Sequence, residues 1–180
     1  MKDFDVKKIR LVAMDLDGTL TQHKSPLTPE NRAALDALGK KYKLLMVGAG
    51  QVMRIFNQLQ YPIDVVGNYG LQYGTYDEKT NTQILRRDLV FPCDQEKVTA
   101  RVERLRKTYG FTAYRGDSVE FHPSGCITFA ILGTKALQED KLAFDPDKVK
   151  RRERFPEVKE VFKDYSVFIG GTTSFDITPK

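Results

Sequence analysis

Cysteine is nearly absent from this chain of 180 residues: it has Cys93 and Cys126 and no others, and they stand in no metal-ligand spacing. That scarcity excludes a disulfide framework and fits two reduced, partly buried thiols in a cytosolic protein. Histidine is equally scarce. Neither His23 nor His122 has a second His or Cys at ligand spacing, so both suit surface or polar roles better than metal binding. No run approaches the roughly 18 uninterrupted apolar residues of a membrane span, and no apolar region of signal-peptide length follows "MKDFDVKKIR". The expected setting is the cytoplasm, without a membrane partner. Internal repeats and low-complexity segments are missing. So is any basic stripe interleaved with aromatics, which argues against nucleic acid.

What is present is the composition of a folded protein, 41% hydrophobic and 11% aromatic. The length is enough to bury a substantial core, as one domain or as a core with a smaller companion. The 29 basic residues exceed the 24 acidic ones only modestly, for a net charge of +5, which suits a small anionic substrate at least as well as nucleic acid. Oligomeric state is not set by the sequence.

The first third alternates strand and helix. "IRLVAM" from Ile9 to Met14 reads as a buried strand. Thr28 then offers an N-cap and Pro29 a first helical residue, with Leu35, Leu38 and Tyr42 at helical spacing. "KLLMVGAG" from Lys43 is a second strand, Val52, Ile55, Phe56 and Leu59 form one apolar helix face, and "IDVVGNYG" from Ile63 is a third strand. This pattern predicts a parallel sheet covered by helices, an α/β fold whose ligands sit beyond the carboxyl ends of the strands. Asp15, Asp17, Gly48, Gly50 and Asn68 fall there.

The pattern changes near Leu71. "LQYGTYDEKTNTQILRRDLV" reads as a hairpin, and a helix follows from Asp94 with Val98, Val102, Leu105 and Tyr109 on one face. "FTAYR", "SVEF" and "CITFAIL" read as three strands, the charged stretch around Pro156 as helical on both sides, and the last 15 residues as two strands. The basic cluster from Lys148 to Arg154 reads as a solvated helix face, and Tyr69 and Tyr73 as core or hinge aromatics. The expected division is a core over 1–70, an inserted α+β module over 71–165 with a boundary extending as far as about 180, and 166–180 as last strands of that module or a return to the core.

"DLDGTL" carries the chemistry. At a strand's end an ordinary Asp-Gly turn accounts for it on pattern alone. The functional alternative makes Asp15 a carboxylate nucleophile that forms an acyl phosphate, with Asp17 as acid and base. Two carboxylates facing a phosphate dianion call for a hard cation such as Mg²⁺. Gly18 turns the backbone away and Thr19 orients the loop. "VGAGQ" follows the second strand, and backbone N–H groups around Gly48, Ala49 and Gly50 offer a phosphate site at a helix start. A dinucleotide fingerprint there is weak, because Met53 stands where a third glycine belongs.

"DLDGTLT" resembles the signature of the haloacid dehalogenase superfamily of aspartate-dependent phosphotransferases. The resemblance implies Asp15 as nucleophile and Mg²⁺ ligand, and Asp17 as acid/base with its main-chain carbonyl on the metal. "FIGGTTSFDITPK" resembles the late motif of eukaryotic-type phosphomannomutases, and "GNYGLQYG", "SVEFHPSG" and "LGTKALQEDKLAF" follow that family's order along nearly the whole chain. This implies a Rossmann-like core with an α/β cap of the superfamily's second class, and sugar-phosphate contacts from Ser174 and Asp176. Where phosphomannomutases carry three cap arginines, this chain offers His122, Thr134 and Lys141, and a bidentate arginine clamp is not replaced by His or Thr. The family also continues past the "SFD" strand to a catalytic lysine and an acidic loop. No Gly-Asp pair followed by Asp comes after Ser174, so the chain is expected to lack the end of the core. The favoured expectation is an Mg²⁺-dependent phosphatase of a small phosphorylated metabolite, a sugar phosphate. The alternatives are a hexose-phosphate mutase and, from another class, a truncated non-catalytic fragment.

Overall fold

The computed structural model describes residues 8–22 and 25–180, so His23 lies outside the described residues. Two compact units make up the chain, Met1–Leu89 and Val90–Lys180. In the first, strands β1 (Leu11–Asp15), β2 (Lys43–Val47) and β3 (Asp64–Gly67) run parallel, connected through helices α1 (Pro29–Gly39) and α2 (Val52–Leu59). The ladder of β1 with β2 runs from Leu11 opposite Lys43 to Asp15 opposite Val47, so Asp15 is the last residue of its strand.

Local sequence explains the helices. The Thr28 hydroxyl accepts the N–H of Asn31 at 3.3 Å, and Pro29 opens α1 where a missing N–H costs nothing. Helix α2 buries Val52, Ile55, Phe56 and Leu59. Three of these, with Leu16, Leu35, Met46, Tyr61, Ile63 and Val65, form the apolar core of this unit. Each such side chain contributes roughly 1.5–3 kcal/mol on full burial.

Beyond Gly70 the same sheet continues. Strand β4 (Gln72–Asp77) pairs antiparallel with β3, and β5 (Thr82–Asp88) with β4, giving the order β1-β2-β3-β4-β5. The hairpin expected from the sequence is present, but the boundary expected at residue 70 falls at 89 instead. Two buried glutamines dock it: Gln72 Oε1 accepts the Val52 N–H at 3.0 Å, and Gln83 Nε2 donates to the Ile63 carbonyl at 2.9 Å.

The second unit is an antiparallel sheet in the order β6-β7-β9-β8, built from β6 (Val119–Phe121), β7 (Ile127–Ala130), β8 (Tyr165–Gly170) and β9 (Ser174–Pro179). Residues 166–180 therefore belong to this sheet. Helices α3 (Gln95–Tyr109) and α5 (Val149–Val161) supply Val98, Val102, Leu105 and Val158, which pack with Ile127, Phe129, Val167, Phe175 and Ile177. Asp94 caps α3 by accepting the Lys97 N–H at 3.0 Å. A short helix, α4 (Gln138–Phe144), precedes α5.

Two expectations change here, at "FTAYR" and in the basic cluster. "FTAYR" is irregular rather than a strand: Arg106 takes the Phe111 carbonyl, while Arg115 donates to the Leu132 carbonyl and accepts from Lys135. The stretch around Pro156 is helical on both sides, as expected, within one helix, α5, where the proline cannot supply the N–H that the Arg152 carbonyl would otherwise accept. Within the basic cluster, Arg151 is buried rather than solvated. Its guanidinium pairs with Asp145 at 2.8 Å and reaches the carbonyls of Gly170 and Gly171. Both cysteines are free thiols, and burial pushes each above its ordinary range. Among the described residues, no helix is long and apolar enough to cross a membrane.

Candidate active site

The loop after β1 is a tight turn wound on one carbonyl. Leu16 is buried in the core, and its carbonyl accepts the N–H groups of Thr19, Leu20 and Thr21 at 3.3, 3.0 and 3.0 Å. Gly18, at φ +87°, makes the reversal and donates to the Thr21 carbonyl at 2.7 Å. From α1, Asn31 Nδ2 fastens the loop by donating to the Leu20 carbonyl at 2.7 Å. Asp15 is left exposed at the strand's end, where the Thr19 hydroxyl reaches its Oδ2 at 3.5 Å.

Asp17 is held from α2. Gln58 Nε2 donates to its Oδ1 at 3.1 Å, and Arg54 Nη2 lies 3.5 Å from its Oδ2. Sequence reasoning passed over both residues. Their i, i+4 spacing on α2 was the available signal, and Arg54 Nη1 does donate to Gln58 Oε1 at 3.0 Å. Gly50 is part of the same arrangement: a side chain there would run into the Arg54 guanidinium.

The phosphate site read from "VGAG" is narrowed. The Gly48 N–H donates to the Val66 carbonyl at 3.0 Å within the sheet, so it is not a donor for a ligand. The Val52 N–H at the start of α2 is likewise committed to Gln72. Ala49 and Gly50 remain candidates, with the Gly50 carbonyl accepting from Asn68 at 2.7 Å.

In the second unit, the register puts Glu120, Thr128, Asp176 and Phe168 in one row across all four strands. They alternate with the buried Ile127, Phe129, Phe175 and Ile177, so the row is on the face of the sheet opposite the core. His122 Nε2 lies 3.1 Å from Thr128 Oγ1, which donates to Asp176 Oδ1 at 3.5 Å, and Ser174 Oγ donates to the same oxygen at 3.4 Å. The Asp176 carboxylate rests over Gly170, where a Cβ would collide with it. Three of the expected substrate residues, His122, Ser174 and Asp176, thus share one hydrogen-bonded network. Lys141 is in a different contact: its Nζ donates to the Thr134 carbonyl at 3.4 Å. Thr134 itself is a loop staple, accepting the Asp117 N–H at 3.0 Å.

The donor chemistry of Asp15 and Asp17, hard oxygens two residues apart, suits a divalent cation that keeps several waters. Among the described residues no group of three His, Cys, Asp or Glu side chains could hold a metal by itself.

No family model matches the chain. A Caenorhabditis elegans protein named "Probable phosphomannomutase" is 28% identical over 186 residues, covering 94% of this chain and 71% of that protein. Among solved structures, the IMP-nucleotidase of Plasmodium falciparum superposes with a TM-score of 0.60 at 15% identity, over 97% of this chain and 48% of that one. A phosphatase of the haloalkanoate (HAD) enzyme superfamily from Bacteroides thetaiotaomicron does so with a TM-score of 0.53 at 12% identity, over 95% and 67%. The parallel-rich sheet, with the aspartate loop at its end, is the haloacid dehalogenase fold. In sequence the chain is similar to proteins named phosphomannomutase.

Proposed function

We propose that the chain is a phosphoryl-transfer enzyme that hydrolyses a small phosphorylated metabolite, a sugar phosphate, through an aspartyl phosphate on Asp15. The observation that carries this reading is the exposed Asp15 carboxylate at the end of β1, two residues before an Asp17 already oriented by Gln58. An Asp15 oxygen attacks phosphorus as the ester P–O bond breaks, and Asp17 gives its proton to the departing oxygen. Asp17 then takes a proton from water, whose oxygen attacks the same phosphorus. Inorganic phosphate leaves and the Asp15 carboxylate is restored. Mg²⁺ held by the Asp15 carboxylate and the Asp17 main-chain carbonyl would supply the positive charge that lets a carboxylate approach a phosphate dianion. Thr19 and the backbone at Ala49 and Gly50 are the candidate phosphate contacts. Ser174, Asp176 and His122 are the candidate sugar contacts, with Lys141 as a further one. A reducing, cytoplasmic setting agrees with the two free thiols.

The names of the matched relatives favour a second reading, a hexose-phosphate mutase. Against it stands the loss of the cap arginines at His122, Thr134 and Lys141. The deciding assay is phosphate release from a panel of sugar phosphates, with Mg²⁺ and with EDTA, for the wild type and Asp15→Asn. Release that needs both metal and Asp15 establishes the phosphatase. Isomerisation of a hexose phosphate that needs a bisphosphate activator, and exceeds hydrolysis, establishes the mutase instead. No turnover in either assay leaves the non-catalytic reading. Arginine restored at His122 and Lys141 should raise mutase activity, and no change would count against the correspondence of those positions.

A further inference from the structure

Gln58 has one amide nitrogen and three acceptors around it. Nε2 is 3.1 Å from Asp17 Oδ1, 3.0 Å from Thr21 Oγ1 and 3.0 Å from the Ser25 carbonyl. The other end of the amide faces a group that only donates, the guanidinium of Arg54, at 3.0 Å. Oxygen and nitrogen of the amide are therefore distinguished by chemistry: only one orientation puts the acceptor toward Arg54 and the donor toward carboxylate, hydroxyl and carbonyl. Arg54 Nη2 also lies 3.5 Å from Asp17 Oδ2, which closes a ring of three residues around the two carboxylate oxygens. Gln58 is half-buried, so these contacts face limited competition from water.

We propose that Gln58 is a positioning residue for Asp17, and that its amide couples the orientation of that carboxylate to the Thr21 hydroxyl and the Ser25 carbonyl. The coupling follows from valence. Two N–H bonds cannot point at three acceptors at full strength, so a movement that brings the Ser25 carbonyl closer weakens the bond to Asp17 or to Thr21. Thr21 adjusts best, since its own hydroxyl donates to the Leu16 carbonyl at 3.4 Å while its oxygen accepts. Glutamine is specifically required. Glutamate at 58 has the same shape and keeps the Arg54 contact, but it turns an oxygen toward three acceptors. Leucine fills the space and donates nothing.

The inference rests on the proposed role of Asp17, and two measurements keep its failure separate from a failure of that role. In turnover assays on a substrate accepted by the wild type, Gln58→Glu and Gln58→Leu are expected to lower kcat about tenfold to a hundredfold, with KM within about twofold. A residue that merely supported the fold would move KM and the melting temperature as well. Unchanged kcat in Gln58→Glu overturns the proposal. The second measurement needs no activity. In ¹H–¹⁵N NMR spectra the Gln58 side-chain amide protons should exchange more slowly than those of the exposed Gln51 and Gln60, and Asp17→Ala should shift the Gln58 amide resonances as both N–H groups pass to Thr21 and Ser25. Gln58 protons exchanging at the rate of exposed glutamines overturn the proposal even if the wild type proves inactive on every ester.

Discussion

The two units handle charge in opposite ways. In the first, Asp15 is exposed and the Asp17 side chain is 25% exposed, with the Gln58 amide at 3.1 Å and the Arg54 guanidinium at 3.5 Å among its neighbours. In the second, Arg106 and Arg151 are each 1% exposed, and they donate hydrogen bonds to carbonyls, a hydroxyl and a carboxylate of the unit's own framework. Arg106 gathers the carbonyls of Phe111, Ala130 and Ile131 with the Ser118 hydroxyl, and stacks 4.1 Å from the Tyr114 ring centroid. The difference separates charge held at the surface by a few contacts from charge spent on architecture. A basic residue near a candidate site is therefore no argument for binding until its own hydrogen bonds have been accounted for.

The largest effects should come from breaking the buried side of this contrast. Arg151→Met strands the Asp145 carboxylate and the Gly170 and Gly171 carbonyls without a cation, and should destabilise the second unit by about 3–5 kcal/mol. Urea unfolding followed by a probe in that unit checks it. Replacing both partners, Asp145→Leu with Arg151→Met, should cost less than Arg151→Met alone once the loss of the Lys150 and Arg151 N–H bonds to Asp145 is allowed for, because no charge is then left unpaired. A double variant as unstable as the sum of the singles would show that the pair acts through its backbone contacts only.

Acid should expose the same pair more gently. Burial raises the Asp145 carboxyl, but Arg151 and the backbone N–H groups of Arg151 and Lys150 outweigh it and hold the group below the usual carboxylate range. Because the folded value is the depressed one, this contribution is complete above about pH 4 and is lost as pH falls through the lowered folded value. Thermal melts from pH 6 to pH 2 should show a steeper acid loss for the wild type than for Asp145→Asn. Parallel curves would assign the acid sensitivity to other carboxylates.

In the first unit the same kind of substitution should change chemistry and spare the fold. Asp15→Asn removes an exposed charge, so its stability should stay within about 0.5 kcal/mol of the wild type while phosphate release disappears. A large loss of stability would mean that Asp15 belongs to the architecture after all.

How much of this could be read in advance follows the distance between interacting residues. The Thr28–Pro29 helix start, the three parallel strands and the aspartate loop are local patterns, and they appear where the sequence puts them. The hairpin was legible as a hairpin, but alternation says which side chains share a face and not which strand accepts the ladder. "FTAYR" carries strand-forming residues, yet its carbonyl at Phe111 is taken by an arginine from α3. In "RVERLRKTY" nothing marks Arg106 as different from its exposed neighbours, since its partners lie up to 25 residues away in sequence. The site shows the same split. Asp15 and Asp17 stand two apart in a motif, whereas Gln58 reaches Asp17 across 41 residues.

The smallest prediction sharpens the comparison through helix ends. Helix α2 stops at Gln60, whose backbone is left-handed at φ 46°, and α3 stops at Gly110 in the same region at φ 69°. Both close the helix by donating their N–H to a carbonyl three or four residues back, from Gln60 to Phe56 and from Gly110 to Arg106 and Lys107. Glycine adopts that conformation without a Cβ penalty, and glutamine does not. Gln60 is exposed and uses its carbonyl, not its side chain, to accept from Arg32 at 2.7 Å, so the side chain can be removed without breaking that bond. Gln60→Gly should therefore stabilise the first unit by about 0.5–1 kcal/mol, and Gly110→Ala should destabilise the second by about 1 kcal/mol. Denaturation midpoints of the two variants, measured with a probe in each unit, decide the matter. Equal and opposite shifts mean that the two helix ends differ only in the residue at the turn. A Gln60→Gly variant no more stable than the wild type would mean that the glutamine side chain makes contacts at the end of α2 that offset its backbone strain.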